Sequence, residues 1–320
     1  MIRFSSIGDV VLTTPVLRGL KEQIDQVEIH YLTKKVFEPI VKNNPRIDKV
    51  YAIEKHIDEV IGELKQENYD FILDLHNNIR TKSVKLKLRK PSQSFSKLNW
   101  EKWLLVRLKR NHLPKVHIVE RYFDAARKLG VKNDHFPCEY YLSASENVNI
   151  EKEFGVSSKG FIALAIGAQF ATKRMPKPLL SDIIRALNQP VILIGGPTDL
   201  KLAEELMDEF PESQLMNACG KYSLNKSASI VKQSNGIITN DTGMMHIASC
   251  FDLKIVSVWG NTVPDLGMFP YSPQNKNYSI HQVEGLSCRP CSKIGFKECP
   301  KGHFDCMLKQ NPEEIARSFN

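Results

Sequence analysis

No apolar run in this chain approaches the roughly 18 residues that a membrane-spanning helix needs. The first residues, MIRFSSIGDV, also lack the long apolar core of a signal peptide. The expected compartment is therefore the cytoplasm. Internal repeats and low-complexity tracts are absent as well. There is no G-x-G-x-x-G after the first strand, no G-x-x-x-x-G-K-[ST] and no Asp-x-Asp, which weighs against dehydrogenase, phosphate-loop NTPase and metal-dependent sugar transferase readings. Acid is scarce in one place: from Arg80 to Lys115 there are twelve Lys or Arg and one carboxylate, Glu101. That window carries +11 in a chain of net +8, so the remainder is acidic by three. It also holds Trp100, Trp103, Leu104, Leu105 and Val106. A cationic and apolar mixture of this kind suits phosphate-bearing amphiphiles or anionic lipid. It would also fit nucleic acid, or a solvated basic loop and helix with the tryptophans packed inward.

What is present is enough for two domains: 320 residues, 42% hydrophobic and 25% charged. Strand-like and helix-like segments alternate at 2–4 and 10–21, 27–32 and 36–43, 50–53 and 57–66, and 71–75 followed by the basic stretch. A helix then runs to Leu129 with Gly130 as its C-cap. A second series follows at 161–166, 178–187, 191–194, 199–209, 224–233, 236–239, 244–250 and 255–259. Such alternation predicts an α/β protein with parallel sheets covered by helices. The polar stretch 143–159 reads as the linker. Asn311-Pro312-Glu313-Glu314 reads as the cap of a short last helix.

The densest chemistry lies at Ile238 to Asp265, ITNDTGMMHIASCFDLKIVSVWGNTVPD. A strand ends in Asn240, Asp241, Thr242 and Gly243, a small helix carries His246, and a second strand follows. Open parallel sheets bind ligands beyond the carboxyl ends of their strands, where helix N-termini favour anions. Asp241, Thr242, Gly243 and His246 are thus candidates for a phosphate site, although the same turn also suits an ordinary helix cap. In RFSSIGDVVLTTP, Asp9 follows a strand and a glycine turn at a helix start, where the dipole favours its ionised form. It suits a general base, or simply a cap for the helix begun at Val10. Gly167 to Pro176, GAQFATKRMP, offers a glycine for close backbone approach and Lys173 as the cation a diphosphate leaving group needs, or else an exposed Lys-Arg pair. Ile194-Gly195-Gly196-Pro197-Thr198-Asp199 suits contact with ribose or base at Gly196, or a tight turn with an Asp cap. Four of seven cysteines cluster at Cys288, Cys291, Cys299 and Cys306, with His303 among them. Structural zinc, a disulfide or redox role, and free thiols all remain open for them.

In chain order, Gly8-Asp9, Lys173-x-x-Pro176, Asp241-Thr242-Gly243-x-x-His246, Gly260-x-Thr262-x-Pro264 and the Cys-rich end resemble glycosyltransferase family 9, the ADP-heptose:lipopolysaccharide heptosyltransferases. The resemblance spans almost the whole chain. It implies a GT-B fold with two facing Rossmann-like domains, the acceptor domain at 1–150, the donor domain at 151–310 and a terminal helix at 311–320. It further implies an inverting, metal-independent transfer of heptose from ADP-heptose to the lipopolysaccharide inner core. Asp9 is then the base, with Ser6, Gly8, Arg80, Lys82 and Lys85 on the acceptor side. Lys173, Asp241, Thr242, Gly243, His246, Gly167 and Gly196 are on the donor side. Met175 replaces the aromatic residue usual in that loop. The acceptor is an anionic glycolipid, which places the enzyme at the inner face of the cytoplasmic membrane; no nucleic acid and no catalytic cofactor are expected. Relatives usually carry more apolar residues before the arginine, so the start is expected upstream of Met1. A UDP- or GDP-linked sugar on the same fold, and a non-catalytic binder of anionic lipid or nucleic acid, are the alternatives.

Overall fold

The computed structural model describes Met1–Pro211 and Gln214–Asn320. The chain forms two compact units, one made of Met1–Leu98 and Val116–Tyr141, the other of Asn99–Lys115 and Leu142–Asn320. In the first unit the strands are β1 (His30–Lys34), β2 (Lys49–Ile53), β3 (Ile72–Asp74) and β4 (Ser92–Ser94). β1 pairs with β2 and β3 with β4, all parallel. Ile2 bridges Leu32 on one side and Asp74 on the other, so the order across the sheet is β2-β1-Ile2-β3-β4. The expected strand at 2–4 is thus central but very short. Backbone bonds hold it: Ile2 N to Leu73 O at 2.9 Å, Arg3 N to Leu32 O at 3.0 Å, Leu32 N to Met1 O at 2.9 Å and Leu75 N to Ile2 O at 3.1 Å. Ile2, Phe4, Leu32, Ile53, Ile72 and Val84 share one core beneath it.

The helix expected over 10–21 is two helices, Ile7–Val11 and Thr14–Gln23. The break at Leu12 and Thr13 has a local cause. The hydroxyls of Thr13 and Thr14 donate back to the carbonyls of Val10 (2.7 Å) and Val11 (2.8 Å), and Pro15 opens the second helix. The basic stretch forms a helix at Ile79–Leu88, then β4, then a helix at Asn99–Leu108 that belongs to the second unit.

The second unit carries one parallel sheet of β5 (Ile162–Ala165), β6 (Val191–Ile194), β7 (Leu215–Asn217), β8 (Gly236–Asn240), β9 (Lys254–Trp259) and β10 (Tyr278–Gln282), in the order β10-β9-β8-β5-β6-β7. Alternate residues feed opposite cores. Ile162, Leu164, Leu193, Ile238 and Val256 enter one, and Ala163, Ile192, Ile237, Ile255 and Trp259 the other, as expected of a parallel sheet covered on both faces. Met175 is buried in the first of these cores, filling apolar space. The stretch read as a linker is folded into this unit. Ile150–Phe154 is helical, Val148 and Ile150 are buried, and the Val148 N–H donates to Ser229 Oγ at 3.0 Å. Phe154 and Val156 pack against the same core, so four apolar side chains anchor this polar stretch. At the C-terminus, helix Pro312–Arg317 begins as expected, with Asn311 Oδ1 accepting the Glu314 N–H at 3.2 Å. The fold is α/β with Rossmann-like parallel sheets.

Candidate active site

Each sheet has a topological switch point, where the strand order reverses and neighbouring strands lead their loops to opposite sides, leaving a crevice for ligand. In the first unit this point lies between Ile2 and β3, and Asp9 sits just beyond it. The Arg3 guanidinium contacts Asp9 Oδ1 at 2.5 Å. The Ser6 N–H and hydroxyl donate to Oδ2 at 3.1 and 2.8 Å, and the Tyr122 hydroxyl reaches Oδ1 at 3.4 Å. The Asp9 side chain is 20% exposed. Burial pushes its carboxyl up, but the Arg3 charge and the Ser6 donors outweigh burial and hold it at about 2. Asp9 therefore does take a capping bond, at the third position of a five-residue helix. Its strong acidity has another source, however: the arginine opposes desolvation more than any other group.

Arg3 is itself 6% exposed. It donates from Nε to Ser5 O at 2.7 Å and from Nη1 to Leu75 O, and lies over the rings of Phe95 (5.7 Å) and Tyr122 (5.6 Å). One guanidinium thus ties the ends of two strands to the carboxylate. His76, beside β3, packs edge-on against Phe4 at 5.5 Å, and its Nδ1 makes no hydrogen bond among the described residues. Burial, then the Arg3 and Lys97 charges, push its ring down to about 4. Arg3, His76 and Tyr122 are site residues that sequence reasoning did not single out.

Of the expected acceptor-side residues, Ser6 touches Asp9 directly, and Gly8 is buried within the same helix. Arg80 lies over the Phe4 ring, 5.4 Å from its centroid. Lys82 is exposed. Lys85 is engaged internally, 3.0 Å from the fully buried Asp74 and 2.7 Å from Ser94 Oγ.

In the second unit the switch point lies between β5 and β8. The loop after β5 brings Lys173, and the turn after β8 brings Asp241. Lys173 Nζ lies 2.6 Å from Asp241 Oδ2 and 3.1 Å from its carbonyl. The Thr262 hydroxyl donates to the same Oδ2 at 2.7 Å, and Asn240 Nδ2 donates to the Lys173 carbonyl at 2.9 Å. Thr242 is the extended N-cap of helix Gly243–Ala248, and His246 is buried in that helix. Asn261, in the loop after β9, is 1% exposed, and neither atom of its amide makes a hydrogen bond among the described residues. A buried amide in that condition costs about 1–3 kcal/mol until a partner arrives.

Two of the expected donor-side glycines pack against Asp199 or bond to it. A Cβ on Gly167 would sit 2.2 Å from Asp199 Oδ2, so its smallness accommodates a buried carboxylate in this structure. Asp199 Oδ2 also accepts the Gly196 N–H at 2.8 Å, and Arg174 approaches Oδ1 at 3.4 Å. The turn-and-cap alternative at Gly196 is thus the one the bonds realise, although space for a Cβ remains there, with Asp199 Oδ2 3.8 Å away.

The structural zinc left open for Cys288, Cys291, Cys299 and Cys306 finds no support. Among the described residues no three His, Cys, Asp or Glu side chains converge in a metal-holding group, and these cysteines are free. Cys288 Sγ lies 3.9 Å from His303 Nε2, while burial, then the neighbouring thiols, push Cys306 up to about 12.

A family model described as glycosyltransferase family 9 (heptosyltransferase) matches residues 57–300. Lipooligosaccharide heptosyltransferase 2 of Haemophilus influenzae is 24% identical over 99% of this chain and 96% of its own. The glycosyl transferase family 9 structure from Veillonella parvula superposes with a TM-score of 0.78 at 22% identity, covering 99% of this chain and 94% of that one. The ADP-heptose lipopolysaccharide heptosyltransferase II of E. coli superposes at 0.76 and 19% identity, covering 100% and 96%. At these identities the likeness of the structures is one of fold, and that fold is GT-B.

Proposed function

Because this chain belongs to glycosyltransferase family 9, and is therefore a glycosyltransferase, we propose that it moves a heptose from ADP-heptose to the lipopolysaccharide inner core in a single inverting, metal-independent displacement. The donor named for the E. coli structure and the activity named for the H. influenzae relative support this choice of substrates. The acceptor binds the first unit and the donor the second, the roles given above to 1–150 and 151–310. An acceptor hydroxyl attacks the anomeric carbon from the face opposite the diphosphate and gives its proton to Asp9. The bond to the diphosphate oxygen breaks, and ADP leaves with the electron pair.

At about 2, Asp9 is a weak base at rest and takes the proton only as the attacking oxygen turns acidic. The departing charge is met by Lys173, by the backbone N–H groups after Thr242 and by the turn that carries Gly243 and His246. Gly167 and Gly196 line the same strand ends, and the unmet amide of Asn261 suits a polar donor group. Arg80 and Lys82 attract the anionic acceptor, while Lys85 acts through Asp74. The observation that carries this reading is the Lys173–Asp241 pair at the β5–β8 switch point: a cation placed where a diphosphate would compete for it.

The first test is thermal stabilisation by ADP, UDP, GDP and ADP-heptose, each with and without chelator. A ligand at 100 times its Kd adds about 2.7 kcal/mol. Selective, chelator-insensitive stabilisation by ADP and ADP-heptose is expected, whereas preference for UDP or GDP would change the donor. Asp9→Asn should bind ADP normally and lose turnover by about 100-fold or more. Near-normal turnover would remove Asp9 as the base.

A further inference from the structure

Helix Asn99–Leu108 shows solvent both of its tryptophans. Trp100 and Trp103 stack on each other, with centroids 5.0 Å apart and planes 10° apart, and remain 65% and 45% exposed. Leu108 is 51% exposed, Arg107 is exposed, and so is Arg110 just beyond the helix. Positions 100, 103 and 107 fall on one face at helical spacing. The helix is held to its own unit elsewhere. Leu105 is its buried residue, and just past its end Lys109 Nζ donates to the carbonyls of Cys288 (3.2 Å) and Pro290 (2.7 Å). Asn111 Nδ2 then donates to Asp265 Oδ1 at 3.0 Å. None of these anchors uses the tryptophans, so they do not explain the exposed rings. Sequence reading left open that they pack inward, and the structure turns them out.

We propose that this face is a docking surface for an anionic lipid bilayer: Trp100 and Trp103 enter the interfacial region, and Arg107 and Arg110 meet lipid phosphates. The inference rests on the proposed glycolipid acceptor and specifies which surface reaches it. Stacked aromatic rings beside exposed guanidinium groups match the apolar and anionic layers of a membrane interface. The segment 99–115 holds five Lys or Arg against Glu101, the charge complement of such a surface. Among the described residues no helix is long and apolar enough to cross a membrane.

The test is co-sedimentation and tryptophan emission of the full chain with vesicles of phosphatidylcholine alone or with added phosphatidylglycerol. The chain has three tryptophans, and Trp259 is fully buried, so a blue shift on adding vesicles reports Trp100 and Trp103. Binding to the anionic vesicles should be at least about tenfold tighter than to the neutral ones and should weaken with salt. Trp100→Ala with Trp103→Ala should remove the shift and weaken binding about tenfold or more, and Arg107→Gln with Arg110→Gln should weaken binding while keeping residual insertion. Absence of binding, or binding that follows charge but ignores the tryptophans, overturns the proposal; the latter would point to a polyanion such as nucleic acid. Transfer from ADP-heptose to a deacylated, water-soluble acceptor should be unchanged in the tryptophan variant. If the unaltered enzyme shows no such transfer while vesicle binding holds, the substrate reading fails and the docking surface stands.

Discussion

At the scale of single residues, the decisive feature of the first unit is a carboxylate whose charge state is set by one arginine. Asp9 is held at about 2 against an ordinary 3.8, so more protons are bound by the unfolded chain than by the folded one between these values. The pair therefore contributes stability that is complete above about pH 4 and is lost as pH falls toward 2, worth about 2 kcal/mol. In Arg3→Gln the cation is gone, burial dominates and the carboxyl rises. The acidic limb of kcat against pH should then move up by about one unit or more, while an unmoved limb would show that Arg3 does not set the state of Asp9. Asp9 itself was legible because a carboxylate directly after a glycine turn is recognisable as a pattern. Its partner was not, since nothing in the spacing of Arg3 and Asp9 says that the guanidinium folds back over its own turn. The same holds for Tyr122, which reaches Asp9 across 113 positions.

At the scale of elements, the glycines show how one pattern can serve two purposes. A strand that ends in glycine looks like a phosphate cradle, yet a carboxylate can claim the space first. Gly167→Ala forces Asp199 away from the Gly196 N–H and from Arg174, and should cost about 2 kcal/mol as an overpacked site. Gly196→Ala meets its nearest atom at 3.8 Å and should stay within about 0.5 kcal/mol in stability. Denaturant midpoints of both variants, with ADP titrations beside them, separate packing from binding. If Gly196→Ala is as stable as the parent but binds ADP more weakly, Gly196 touches the donor; equal costs at both positions would remove the assignment of Gly167 to Asp199. Long periodic segments such as Leu224–Gln233 and Pro312–Arg317 were readable because apolar spacing and caps agree. β4 (Ser92–Ser94), β7 (Leu215–Asn217) and β10 (Tyr278–Gln282) were not, because they are edge strands that are short or only half-buried. Such strands are defined by the neighbour they pair with rather than by their own composition.

For the whole molecule, alternation announced two parallel sheets, but it could not announce that residues 99–115 leave the first series to join the second unit. Lys109 and Asn111 tie that segment to partners far along the chain, which no local pattern encodes. Two units with separate cores make a further prediction about ligand. Because a ligand stabilises only the states that contain its formed site, ADP should slow opening of the unit that binds it, while segments that open independently keep their rates. Hydrogen exchange at saturating ADP should therefore slow at 167–173 and 241–246, around Lys173 and Asp241, and leave the amides of 6–12 around Asp9 unchanged. Protection at 6–12 without protection at 241–246 would move the nucleotide to the first unit and reverse the assignment of donor and acceptor. Protection in both would instead mean that the units open together, so that nucleotide binding also firms the turn around Asp9.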